Sequence, residues 1–152
     1  MAEYARAYID RLGRPYVEQD ILAIAREQLR QEEEMEQQLG NGKTSPAYLF
    51  CDTEALVTEI WSEVKYGRCD PWILHQVERR VYDLYLLCDI DIPWEYDPQR
   101  EHPLMREHLF NLYHSALQER GRNFRVVSGL GIERLQNAIK FIDESLFERS
   151  GQ

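Results

Sequence analysis

The chain has 152 residues, a formal net charge of −9, 43% hydrophobic residues and 11% aromatic residues. That length suits one domain with a real core, and the apolar content is too high for a disordered chain. The negative charge opposes non-specific binding to nucleic acid or to an anionic membrane, while a local arginine cluster can still hold phosphate.

No run approaches the ~18 apolar residues of a membrane span, and the N-terminal residues carry no signal-peptide pattern. The cysteines are Cys51, Cys69 and Cys88. An odd number without CxxC or CxxH spacing reads as free thiols in a reducing compartment, without a zinc site. The expected location is cytoplasmic.

Glu3 to Leu12 reads as a short helix ended by Gly13 and Pro15. Asp20 to about Leu39 reads as a long helix. Its first half carries Ile21, Leu22, Ile24, Ala25 and Leu29 on one face, and its second half, QEEEMEQQ, is polar and expected to project into solvent. A loop over 40–46 leads to an expected strand at 47–51, ending in Cys51-Asp52. A helix over 54–66 follows and is broken at 67–70, and Pro71 opens another helix reaching about Val81.

The run Leu84-Tyr85-Leu86-Leu87-Cys88 has the length and composition of a strand buried on both faces of a parallel sheet. It stops at Asp89-Ile90-Asp91-Ile92-Pro93-Trp94, followed by Asp97, Arg100 and Arg106. Ligands of open α/β sheets bind beyond the carboxyl ends of such strands. Leu104 to Glu119 is helical and closed by Gly121. Phe124 to Val127 is a third strand, ended by Ser128-Gly129. The final helix shows Ile132, Leu135, Ile139, Ile142 and Leu146 at steps of three and four. The order α-α-β-α-α-β-α-β-α has the rhythm of a parallel α/β fold.

The nearest approach to the phosphate-loop pattern GxxxxGK[ST] is Gly42-Lys43-Thr44, but Gln37 stands where the first glycine belongs. The context also differs, because such a loop must leave a strand and open a helix. Gly42-Lys43-Thr44 reads as an exposed turn.

Several segments together resemble the NadR-type nicotinamide riboside kinase domain, one of the small AAA-like P-loop ATPases. Glu3-Tyr4-Ala5-Arg6-Ala7-Tyr8 looks like that family's EYAREY segment, with Gly13-Arg14-Pro15-Tyr16 and Asp20 in the next stretch. Phe50-Cys51-Asp52-Thr53-Glu54 looks like its DT(D/E) strand end. Asp83 to Asp89 and Ile92-Pro93-Trp94 look like its YDLYLL and PW elements. Asp97 and Arg100 match its D-G-x-R lid, with Pro98 in place of the glycine. Val127-Ser128-Gly129 and Arg134 resemble its last strand and helix. The family normally places a strand, a P-loop, a helix and a further strand before EYAR. The resemblance therefore implies an α/β P-loop kinase-like parallel sheet flanked by helices, here an N-terminally truncated or mis-started single domain without its first strand, P-loop and first helix.

Read against that family, Asp52 holds the water shell of Mg2+ or takes the proton of the attacking hydroxyl, Thr53 belongs to the acceptor site, and Glu54 shares Asp52's work. The residues alone admit a plainer reading, in which Asp52 caps the following helix and Glu54 is a first-turn acid. Arg100 and Arg106 are lid arginines by resemblance, or surface partners of Glu101 and Glu107. Glu3, Tyr4 and Arg6 border the nucleoside site, or Glu3 and Arg6, one helical turn apart, form a surface ion pair; Asp97 binds ribose or orders the lid, and Trp94 stacks on a flat cationic ring or plugs the sheet edge. Ser128 and Gly129 flank the adenine of ATP, or simply form a strand-to-helix turn.

The implied activity is ATP- and Mg2+-dependent phosphorylation of a nucleoside hydroxyl, nicotinamide riboside above others, with little catalysis from these residues alone. The alternative is a nucleotide-binding regulatory domain without turnover. Small-molecule nucleoside and ATP are the expected partners, without nucleic acid or membrane. Open strand edges would favour a homo-oligomer.

Overall fold

The computed structural model describes residues 4–40, 48–96 and 104–150, with side chains described as far as Ser145 in the last helix. It is a helix-rich α/β arrangement with a small parallel sheet, and it divides into two compact units, Met1–Arg80 and Val81–Gln152.

The first unit is helical: α1 (Tyr4–Leu12), α2 (Glu18–Gly40), α3 (Ala55–Tyr66) and α4 (Pro71–Arg79). Residues at steps of three and four form its core. Ile21, Ile24 and Ala25 come from α2, Leu56 and Ile60 from α3, and Ile73 and Val77 from α4, with Ala5 from α1, all buried. Each fully buried isoleucine contributes about 1.5–3 kcal/mol of transfer free energy.

The helix ends follow their local chemistry. Glu54 caps α3 by accepting a hydrogen bond from the Leu56 amide, and Gly67 closes that helix at φ +69°, where a side chain would be strained. Asp70 caps α4 ahead of Pro71. The turn between α1 and α2 is organised by Asp20, which accepts from Tyr8 Oη (2.9 Å), Arg14 Nη1 (2.7 Å) and Nη2 (2.9 Å), and the Val17 amide (2.8 Å). The Arg14 fork, foremost among these partners, holds the Asp20 carboxyl well below the usual carboxylate range.

The second unit contains β1 (Tyr85–Cys88), α5 (Arg106–Glu119), β2 (Phe124–Val127) and α6 (Ile132–Ser150). The strands pair in parallel, Tyr85 with Phe124 through Cys88 with Val127. The ladder continues at both ends, with the Tyr85 amide donating to the Asn123 carbonyl and the Asp89 amide to that of Val127, each at 2.9 Å. Gly121 follows α5 at φ +60°.

Four expectations are corrected. Residues 48–51 form no strand, and Tyr48 and Phe50 are exposed (Ala47 lies outside the described residues). A strand is defined by its neighbour, and the sheet consists of β1 and β2 alone among the described residues. Second, β1 is not buried on both faces: Tyr85, Leu86 and Leu87 are half-buried and Cys88 is exposed, because a two-stranded sheet covers little of its own surface.

Third, the polar half of α2 is not wholly in solvent. Glu32 is 1% exposed and is held by Arg80, whose Nε lies 3.1 Å from Glu32 Oε2 and whose Nη2 lies 2.7 Å from Glu36 Oε1. Fourth, Ile132, Leu135 and Ile139 of α6 are exposed. The side of α6 that packs runs instead through Arg134, Asn137, Ala138, Phe141 and Ser145, with Ile142 of the expected stripe also half-buried and the Leu146 side chain outside the described residues. Hydrogen bonds from Arg134 to the Gly129 carbonyl and from Asn137 to the Ser128 carbonyl set the helix rotation at its start.

Candidate functional site

In the first unit the Cys51–Glu54 segment turns sharply into α3. Thr53 sits at φ +68°, the one non-glycine residue with positive φ among the described residues. That conformation costs a β-branched residue about 1–2 kcal/mol and persists only where neighbours enforce it.

The enforcing neighbour is Gln28, a residue of α2 that is 3% exposed. Its Nε2 donates to the Thr53 carbonyl at 2.7 Å and to the Asp52 carbonyl at 3.2 Å. Its Oε1 accepts from the Tyr4 amide at 3.3 Å. One buried amide thus joins the start of α1 to the Asp52-Thr53 turn. The segments containing Tyr4 and Arg6 on one side, and Asp52, Thr53 and Glu54 on the other, are brought together through it.

The two acids of the turn differ in environment. Asp52 is exposed, and Gln28 engages its carbonyl. Glu54 is half-buried, with Oε2 accepting from the Leu56 amide at 2.8 Å. Burial pushes its carboxyl up to about 7, and the negative potential of Glu32 and Glu59 adds to this against the lowering effect of the Leu56 and Val57 amides. Glu54 is therefore the helix cap that the plainer reading gave to Asp52, and Asp52 is left projecting from the turn. Burial likewise raises the Cys51 thiol to about 11, so it is an inert thiol. Tyr4 is half-buried, with its ring 5.9 Å from that of Tyr8 and Arg11 over its face, and Arg6 is exposed.

The second unit gathers groups beyond the carboxyl end of β1. Arg106, at the start of α5, donates from Nη2 to the carbonyls of Ile90 (2.9 Å) and Ile92 (2.6 Å). It therefore braces the loop after β1 rather than pairing with Glu107. Trp94 is 40% exposed and meets Tyr96 edge-on, at 6.3 Å between ring centres.

Ser128 is exposed. The Gly129 amide donates to Asp91 Oδ2 at 2.6 Å, and Arg134 binds the Gly129 carbonyl at 2.9 Å and also pairs with Asp91. The turn after β2 is thus fastened to the loop after β1. Glu3, Asp97 and Arg100 lie outside the described residues, as does Gly42-Lys43-Thr44.

Gln28 was missed by sequence reasoning, and Asp91 was placed beyond the strand end without its tie to the Gly129 turn. For Gln28 a signal existed. It stands four residues after Ile24 and seven after Ile21, on the apolar face of α2, where a polar residue calls for a partner.

Among the described residues no group of three or more His, Cys, Asp or Glu is placed to hold a metal ion. Mg2+ keeps most of its waters and is bound through one or two carboxylates together with substrate phosphates, and Asp52 is an exposed carboxylate of the kind it takes. No helix is long and apolar enough to cross a membrane, among the described residues.

No curated protein and no solved structure matches the chain. A family model described as AAA domain matches residues 1–134, a span that takes in the Gln28-bridged turn, both strands and the Gly129 latch. Domains of this kind in general bind nucleotides, ATP with Mg2+ among them. With the match covering most of the sequence, the chain belongs to the AAA domain family.

Proposed function

We propose that this domain provides the acceptor side for transfer of the γ-phosphoryl group of ATP to a nucleoside hydroxyl, nicotinamide riboside above others, with little catalysis from residues 1–152 alone. The observation that carries the reading is the Gln28 bridge. It unites the two segments, Tyr4-Ala5-Arg6 and Asp52-Thr53-Glu54, that resemble the acceptor side of nicotinamide riboside kinases.

In this reading Asp52 takes the proton of the acceptor hydroxyl. The hydroxyl oxygen bonds to the γ-phosphorus as the bond from that phosphorus to the β,γ-bridging oxygen breaks, leaving ADP. Mg2+, when bound, neutralises charge on the phosphates, and the same Asp52 carboxylate orients its water shell. Glu54, committed to capping α3, fixes the turn and does not move the proton. Tyr4, Arg6 and Glu3 border the riboside. Asp97, Arg100 and Arg106 serve the lid, and Ser128 and Gly129 flank the adenine.

Calorimetric titration of the purified chain with nicotinamide riboside, then with Mg-ATP, tests the proposal. Riboside binding that weakens in Asp52→Asn supports it. No riboside binding by a protein shown to be folded refutes it, and nucleotide binding without riboside binding favours a regulatory domain.

A further inference from the structure

We infer that Gln28 is the positioning residue of the acceptor site, and that the strained Thr53 backbone it restrains sets where Asp52 stands. The inference rests on the acceptor-site reading above and adds to it a residue that neither the apolar pattern of α2 nor the family resemblance singled out.

Thr53 is held at φ +68°, a conformation that it leaves unless restrained. The restraint on the page is the Gln28 amide, donating to the carbonyls of Thr53 at 2.7 Å and Asp52 at 3.2 Å from a side chain that is 3% exposed. The carboxyl-side neighbour of the turn is fixed as well, because Glu54 caps α3 through the Leu56 amide. Asp52 is thus suspended between a fixed carbonyl and a fixed helix start, with its side chain left for chemistry.

The opposite end of the same amide accepts from the Tyr4 amide at 3.3 Å. A displacement of α1 and a displacement of the turn are therefore transmitted to each other through one side chain. Only a group with a donor and an acceptor on one rigid plane serves both ends, and a carboxylate or an alkyl chain of equal length does not.

The experiment uses the full chain with three substitutions. Gln28→Met keeps length and removes both ends of the bridge. Gln28→Glu keeps the acceptor for the Tyr4 amide and removes the donor to the turn. Ile24→Val, one turn earlier on α2 and fully buried, is a stability control that does not touch the bridge. Two quantities are read at a temperature where each protein is folded: nicotinamide riboside affinity by calorimetry, and Thr53 φ by NMR, from its three-bond couplings taken together with the intraresidue amide-to-Hα NOE, which separates positive from negative φ.

Both Gln28 variants are expected to shift Thr53 toward ordinary negative φ and to weaken riboside binding on the order of tenfold or more, whereas Ile24→Val does neither. Adding Thr53→Gly to Gln28→Met should restore part of the affinity, because glycine adopts this φ without strain. An unchanged Thr53 φ in both variants overturns the inference, because Gln28 then does not hold the turn. A shifted φ with native riboside affinity overturns it too, because the turn then does not set the site. Lack of riboside binding by the unsubstituted chain fails the acceptor reading itself. Binding that survives the Gln28 substitutions fails this inference alone.

Discussion

Replacing Glu54 by glutamine should make the protein more stable above neutral pH and remove a pH dependence that the unsubstituted protein shows. The Glu54 carboxyl lies at about 7 in the folded chain against an ordinary value of 4.5, with burial as the first cause. The folded state therefore binds this proton more tightly than the unfolded state does. Stability from this group is complete below pH 4.5, declines as pH rises, and is fully lost above pH 7.

A displacement of 7 − 4.5 = 2.5 pH units corresponds to about 3 kcal/mol at ~1.36 kcal/mol per unit. Glutamine keeps an oxygen to accept from the Leu56 amide but carries no charge to desolvate. The shift already includes the attraction of the carboxylate to the Leu56 and Val57 amides at the helix start, so the net gain at pH 8 should be about 3 kcal/mol. At pH 5 the two proteins should be nearly equal.

Urea unfolding followed by circular dichroism at pH 5, 6, 7 and 8 measures this directly, provided that the m-values agree. Asp20 does not interfere. Its carboxyl is held low in the folded state, so its contribution is present above its unfolded value and is lost only at more acid pH. Glu32 and Glu59 occur in both proteins and drop out of the difference to first order. Parallel stability curves for Glu54→Gln and the unsubstituted chain across pH 5–8 would refute the reasoning. The turn would then be wetter than its geometry implies.

Other substitutions probe the first unit. Arg80→Met takes the guanidinium from Glu32, which is 1% exposed, and should cost about 3 kcal/mol in urea unfolding, as expected for breaking one side of a buried ion pair. Gly67→Ala meets no atom within 4 Å but sits at φ +69°, so thermal unfolding should show a loss of about 1 kcal/mol from backbone strain alone. Asp20→Asn cannot accept from Tyr8, Arg14 and Val17 together. It should cost about 2 kcal/mol at pH 7 and flatten the acid limb of the stability curve below pH 4, read by acid titration of the helical circular dichroism signal.

Helices were legible in the sequence because their signals are local. The Asp70-Pro71 start of α4, the Gly67 stop of α3 and the Ile21-Ile24-Ala25 spacing in α2 act within one or two turns. The strands at 85–88 and 124–127 were legible for the same reason, as short apolar runs between breakers. Tyr48–Cys51 looks the same by composition yet forms no strand, since pairing depends on a partner elsewhere in the chain.

The site divides along the same line. Asp52 and Glu54 were recognisable as a pair, but their division of labour follows from which carboxylate reaches the Leu56 amide. Arg106 was read from sequence as a lid arginine or a surface partner of Glu107, whereas its bonds to the Ile90 and Ile92 carbonyls depend on a contact 14 to 16 residues away. The α6 stripe failed because periodicity identifies a face without saying which side a neighbouring strand will cover. Arg134 and Asn137, both polar, turned out to choose it.

The parallel pairing of β1 with β2 also governs how the second unit folds. Tyr85 and Phe124 are register partners 124 − 85 = 39 positions apart, with α5 between them. Closing a loop of that length costs entropy before the four-residue ladder returns anything, whereas α5 gains a hydrogen bond with each residue added. Helix α5 should therefore form early and the strands should zip late, placing Val127, at 2% exposure, on the slow side of the barrier. Val127→Ala should then accelerate unfolding and leave the folding rate nearly unchanged in stopped-flow experiments; an equally slowed folding rate would place the sheet in the nucleus instead.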